Sequence, residues 1–212
     1  MILLIASAIA AAPIVTAVDA ERAFIRDSHS QGQWTAFRKY ADGAAVMFTP
    51  APVWAQEFLR GRKDPGKSID WAPAESWVSC DGKVAINRGP WRNGNNHGYF
   101  TTVWVQSGGN WRWVYDGGAD LVVPIAFPHE ARVSQASCAA RSKIRPADRG
   151  FLPANRAAGQ SPPKAGRGSS DDGTLTYEWK VASDGARHFS ARLWDGKAYR
   201  VILDQNVAAP AK

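Results

Sequence analysis

Histidine and the sulfur residues are scarce in this chain. Of 212 residues two are cysteine (Cys80 and Cys138), two are methionine and four are histidine (His29, His97, His129 and His188). They show no CxxC, HxH or HExxH spacing, so neither a zinc site nor a cysteine nucleophile is indicated, and no cofactor is expected. An even cysteine count in an exported chain allows one disulfide between Cys80 and Cys138, with two buried thiols as the alternative. Charge is missing from residues 2–18, ILLIASAIAAAPIVTAV, which resembles the apolar core and cleavage zone of a secretory signal peptide with Ala17 and Ala20 as cleavage positions. Lys and Arg are absent before it. Pro13 and the short length of the run argue against a membrane span, so export to a periplasmic or secreted location is expected, with no stable membrane span after cleavage.

Acidic residues are nearly absent between Arg132 and Arg167, where eight basic residues face Asp148 alone; eighteen of each sign remain elsewhere, so this stretch carries the net charge of +7. It is rich in Pro, Gly, Ala and Ser, which reads as a solvated linker rather than a nucleic-acid surface, although it could adhere to an anionic membrane or cell-wall polymer.

What the chain does have is aromatic residues, ten of them Trp. They crowd the stretch His97–Gly118, which predicts two strands, Tyr99–Gln106 and Trp111–Asp116, joined by Ser107-Gly108-Gly109-Asn110. Large apolar side chains fall on both faces, which predicts a sheet covered on both sides. Before it, helical spacing predicts helices over Ala20–Gln31, Gln33–Tyr40 and Val53–Arg60, with a short apolar strand over Ala44–Phe48. Strands then follow over Glu75–Cys80 and Val84–Trp91. Beyond Gly118, Pro124 and Pro128 exclude one long helix, and a short helix is expected within His129–Cys138. Asp172–Gln205 predicts a three-stranded meander with hairpin turns at Asp184-Gly185 and Asp195-Gly196, too small to stand alone and so packed on the main domain. The expected organisation is a signal peptide over 1–19, a main domain over 20–130, a linker over 131–171, a β module over 172–206 and a disordered tail over 207–212. The fold class is α+β: three N-terminal helices against a strongly curved, cone-shaped antiparallel sheet, plus the C-terminal three-stranded antiparallel meander.

This order, with Glu21-Arg22-Ala23-Phe24, Gly32-Gln33-Trp34-Thr35-Ala36-Phe37, Phe48-Thr49-Pro50-Ala51-Pro52-Val53, Gly89-Pro90-Trp91, Thr101-Thr102-Val103-Trp104 and Gly109-Asn110-Trp111-Arg112-Trp113-Val114, resembles the nuclear transport factor 2-like superfamily. Within it the likeness is to small bacterial domains related to SnoaL-like polyketide cyclases and ketosteroid isomerases, and it covers residues 20–118. The resemblance implies a cone whose open end holds a small apolar ligand or substrate; it implies no particular activity, because the fold serves enzymes, binding modules and dimerisation domains alike. Ketosteroid isomerases place a catalytic Asp just before the Pro that follows the first strand. Here Thr49 precedes Pro50, and Thr cannot serve as that base.

Acid–base chemistry in an apolar cone requires a desolvated carboxylate or His. His97, Asp116 and Tyr99 are the candidates for proton transfer. Trp54, Arg88, Trp91, Phe48, Phe58 and Trp113 are the candidates for binding a small hydrophobic molecule, and for each Trp a plain core role competes. Three readings follow: an exported binding protein, a lyase- or isomerase-type enzyme using His97, Asp116 and Tyr99, or a scaffold whose cone is filled and whose sheet face pairs with a second copy or with the C-terminal meander.

Overall fold

Thr16 starts the first helix. In the computed structural model, which describes residues 15–145, 148, 150 and 159–210, α1 spans Ala17–Gln31. The Asp19 backbone N–H donates to Thr16 Oγ1 and the Asp19 carboxylate accepts from the Thr16 backbone N–H, both at 3.1 Å, a reciprocal cap that satisfies two donors at the helix start. This helix begins inside the segment assigned to a leader. Ala17, Val18 and Ala20 are buried, and a cut after Ala20 would remove a packed turn; the apolar residues 1–14 lie outside the described residues. Among the described residues no helix is long and apolar enough to cross a membrane.

Helix α2 spans Gln33–Tyr40 as its spacing predicts. The third helix is shorter than predicted: Pro52–Trp54 form strand β2, antiparallel to β1 (Ala41–Phe48), and only Ala55–Leu59 are helical (α3). Strands β3 (Asp70–Trp71), β4 (Glu75–Val78), β5 (Val84–Asn93), β6 (Asn96–Ser107) and β7 (Asn110–Asp120) follow, and β4 to β7 form the predicted antiparallel meander. The short helix expected within His129–Cys138 is instead strand β8 (Arg132–Gln135), parallel to β4. The eight-stranded sheet runs β2-β1-β7-β6-β5-β4-β8, with β3 on β5. It is mixed rather than antiparallel, because β1 also runs parallel to β7. Irregular register between β1 and β7 and between β6 and β7 bends it around the helices.

The C-terminal sheet has four strands, not three: β12 (Tyr199–Val207), β11 (Arg187–Trp194), β10 (Leu175–Val181) and β9 (Ala165–Ser169). β9 comes from the stretch read as linker. Its own propensity is low, but the ring of Tyr177 lies over Gly168, where a Cβ would fall 2.4 Å from ring atoms. Both faces of the large sheet are covered. Phe24, Phe37, Tyr40 and Leu59 of the helices meet Ala85, Trp104 and Trp113 on the inner face. On the outer face Val46, Ile86, Val103 and Tyr115 meet Leu175, Tyr177, Phe189 and Leu203 of the small sheet. The face offered to a second copy of the chain is thus occupied by the chain's own C-terminal sheet. Cys80 and Cys138 form a disulfide, S–S 1.98 Å, closing a loop between the end of β4 and the lead into that sheet.

Candidate functional site

The apolar stripe of α1 contains one charge. Glu21 follows Ala17 by one turn and precedes Phe24 by three residues, so it points inward with them. It is fully buried. Its Oε1 accepts the indole N–H of Trp71 at 2.8 Å, and its Oε2 accepts the indole N–H of Trp104 at 2.7 Å and the Asn87 amide at 3.2 Å. Burial raises the Glu21 pKa above the usual carboxylate range, and the three N–H donors from Trp71, Trp104 and Asn87 pull it back. These bonds tie α1 to β3, β5 and β6.

Asp116 lies above this floor. Strict alternation along β7 puts it on the face opposite Trp113, but the register shifts between the pairs Val103–Tyr115 and Trp104–Trp113. That bulge turns Tyr115 outward and Asp116 inward. Thr102, its cross-strand partner, donates to Asp116 Oδ2 at 3.2 Å. Burial, and after it the neighbouring Glu21 charge, push the Asp116 pKa up to about 7.

Asp116 forms part of the wall of a hollow of about 750 Å³ at the open end of the cone. Its lining is buried at Phe24, Phe37, Trp71, Tyr99 and Phe100 and more exposed at Phe48, Ile69, Trp91 and Arg187 and at Val207, Ala208 and Pro210. The C-terminal residues described as far as 210, expected to be disordered, therefore border the hollow. Gly118 lets β7 lie close against β6: a Cβ there would fall 2.1 Å from the Tyr99 carbonyl oxygen. Arg187 Nη2 donates to the carbonyl of this half-buried glycine at 2.8 Å.

The candidates from the sequence divide. Asp116, Tyr99, Phe48 and Trp91 line the hollow. His97 does not: its ring nitrogens lie 3.2 Å from the Asn95 carbonyl and 3.4 Å from the Val122 carbonyl, at the half-exposed start of β6. Tyr99 shares its strand face with Thr101, which donates to Gln205 of the small sheet, whereas Asp116 is on the helix side. No hydrogen bond joins Asp116 to Tyr99 or His97 among the described residues. Burial raises the Tyr99 hydroxyl pKa, and the Arg88 and Arg187 charges act against it. Trp54 is buried with its indole N–H donated to the Gln160 carbonyl at 2.6 Å. Arg88 sits 5.0 Å over the Tyr99 ring and 3.5 Å from Glu75 on the outer side. Phe58 packs on α3 under the Arg62 guanidinium at 3.8 Å, and Trp113 is fully buried against Phe37. These four belong to core and surface packing, away from the hollow. Among the described residues no group of three or more His, Cys, Asp or Glu could hold a metal ion.

Sequence reasoning missed Glu21 and Arg187 as site residues. A charge on the apolar stripe of a helix was the available signal for Glu21. Arg187 had none, since it reaches the rim from a separate sheet.

The element order of residues 17–120, three helices with two short strands among them and then a curved sheet, agrees with the order expected from the resemblance to nuclear transport factor 2-like domains. No protein-family model matches the sequence, and no curated protein matches it. Solved structures similar in part include an NTF-2 like protein of unknown function from Shewanella oneidensis MR-1, 14% identical over 47% of this chain and 96% of that one, with a TM-score of 0.39. A protein of unknown function from the DUF3225 family of Pectobacterium atrosepticum is 15% identical over 48% of this chain and 88% of its own, TM-score 0.37. An NTF-2 like protein of unknown function from Burkholderia xenovorans LB400 is 13% identical over 54% and 85%, TM-score 0.33. Nothing about activity passes from them to this chain.

Proposed function

We propose that the hollow binds a small, mostly apolar molecule. The carrying observation is an open space of about 750 Å³ walled by aromatic rings, with a single desolvated carboxyl, Asp116, on the helix-side wall. This volume falls in the range of ligand cavities, and an aromatic wall with few polar groups suits a flat or chain-like molecule. Export belongs to the same reading. The uncharged run at the N-terminus and the Cys80–Cys138 disulfide support it, since such bonds persist in oxidising compartments.

A second reading, acid–base chemistry through Asp116, draws on one observation. A carboxyl titrating at about 7 beside an apolar space is poised to hold or release a proton at neutral pH. Among the described residues no hydrogen bond joins it to His97 or Tyr99, and its hydrogen-bond donor is the Thr102 hydroxyl, so this reading rests on one proton-transfer group.

The binding reading is tested with N-phenyl-1-naphthylamine, a neutral dye that brightens in apolar surroundings. The wild-type protein is expected to take up about one dye per chain, and Ile69→Trp, which puts an indole into the hollow, is expected to lower dye affinity about tenfold or more while leaving the far-ultraviolet dichroism unchanged. Absence of dye uptake by the wild type, or equal uptake by a folded Ile69→Trp variant, would overturn the binding reading.

A further inference from the structure

Three ionisable side chains besides tyrosine border the hollow: Asp116, Asp120 and Arg187. Asp120 is exposed at the end of β7, where water screens it. Arg187 differs. It is half-buried, it stacks at 4.7 Å over the Phe48 ring, and its hydrogen bond to the Gly118 carbonyl uses one of the five N–H donors of a guanidinium. No carboxylate pairs with it among the described residues, whereas Arg88 and Arg132 both pair with Glu75, Lys39 with Asp27, and Arg200 with Asp195. An immobilised, partly desolvated guanidinium without a counter-ion, at the lip of an aromatic cavity, is the arrangement that receives an anion in bidentate fashion.

We infer that the hollow selects an apolar molecule carrying a carboxylate, its headgroup held by Arg187 at the rim and its apolar body laid against Trp71, Phe100 and Phe24. This rests on the binding reading above and adds the class of ligand. The carboxyl of Asp116 does not oppose it: the headgroup stays at the rim, and the Asp116 carboxyl stays partly protonated at neutral pH because burial, and then the Glu21 charge, favour the neutral form. Arg187 comes from β11, so the C-terminal sheet, besides covering the outer face, supplies the residue that sets ligand polarity.

The experiment is displacement of N-phenyl-1-naphthylamine from the full chain by three probes of equal length, decanoate, decanol and decylammonium, at about pH 7. Decanoate is expected to bind about tenfold more tightly than decanol and decylammonium more weakly than either, the size of one charge-assisted hydrogen-bonded contact. Arg187→Gln is expected to abolish the decanoate advantage while leaving decanol within about twofold of wild type, and Arg187→Lys to recover part of it, a point charge lacking the planar fork. Unchanged decanol affinity also shows that the variant's hollow is intact. Equal binding of decanoate and decanol, a preference for decylammonium, or the same loss for all three probes in Arg187→Gln would overturn the ligand class while dye uptake still upheld the hollow. If neither the dye nor any of the three probes binds, the binding reading falls, and the ligand class with it.

Discussion

On the outer face of the large sheet, Tyr115 packs 4.8 Å from Phe189, and Phe48 stands edge-on to Trp179 at 5.4 Å. Leu175 and Val103 there are wholly buried. On the inner face the helices bring equally large rings, with Phe24 edge-on to both Phe37 and Trp71 at 4.7 and 4.9 Å. Yet that side encloses about 750 Å³ of open space and two desolvated carboxyls. One sheet therefore carries a closely packed interface on one side and, on the other, a hollow that Phe48, Tyr99 and Arg187 also border. An unfilled wall forfeits dispersion contacts, and a buried carboxyl costs solvation. The chain packs the outer face closely and leaves the inner hollow at a cost in stability, which supports the binding reading proposed above.

The sharpest way to break this comparison is at the floor of the inner side. Glu21→Leu removes the acceptor of three buried donors, the Trp71 and Trp104 indoles and the Asn87 amide, and leaves them unpaired. The expected loss is about 3–5 kcal/mol in urea unfolding, whereas Glu21→Gln, which keeps one acceptor oxygen, is expected to lose about 1–2 kcal/mol. A Leu variant as stable as wild type would mean that the carboxylate does not tie α1 to the sheet.

The next test sets the two faces against each other directly. Leu175→Ala in the small sheet opens a void in a closed interface and is expected to cost about 2–4 kcal/mol. Ile69→Ala trims a side chain that already borders open space, so little new void is created and about 1 kcal/mol is expected. Equal losses in chemical denaturation would erase the distinction between a filled face and a hollow one.

The same contrast explains what could be read from the chain. The meander β4 to β7 was legible because each strand carries its own signal in β-branched and aromatic residues and each turn in Gly or Asn. Helix α2 was legible from Trp34, Phe37 and its neighbours. Strands β8 and β9 were not, because RVSQ is mostly exposed and AGRGS owes its place to the rings of Tyr177 and Trp179 rather than to its own propensity. At the site, Phe48, Trp91, Tyr99 and Asp116 stood out as polar or aromatic residues near predicted strand ends. The bulge that turns Asp116 toward Glu21 leaves no mark on composition, and assigning His97 to the same cluster failed because a one-residue register shift changes which side chains share a face. Arg187 required the packing of one sheet on another, which no local pattern encodes.

A further small effect concerns Asp116 and is read in its pH dependence. In an unfolded chain an aspartate titrates at about 4; in the fold Asp116 titrates at about 7, raised by burial and then by the Glu21 charge. Between these values the folded state holds a proton that the unfolded state has released, so this group withdraws stability as pH rises through that window and withdraws no more above it. Asp116→Asn has no such proton and can keep the hydrogen bond from Thr102. Relative to wild type it is expected to gain almost nothing near pH 4 and about 1–2 kcal/mol by about pH 8, a figure reduced because Asp116 keeps part of its surface open to the hollow. Urea unfolding of both proteins at about pH 4.5, 6 and 8 isolates the difference from the opposite contributions of Asp64, Asp148, Asp172 and Asp195, whose pKa values are lowered by their hydrogen bonds and which both proteins share. A stability difference that stays flat across that range would mean that Asp116 is ordinarily solvated, and the inner face would then differ from the outer only in being less well filled.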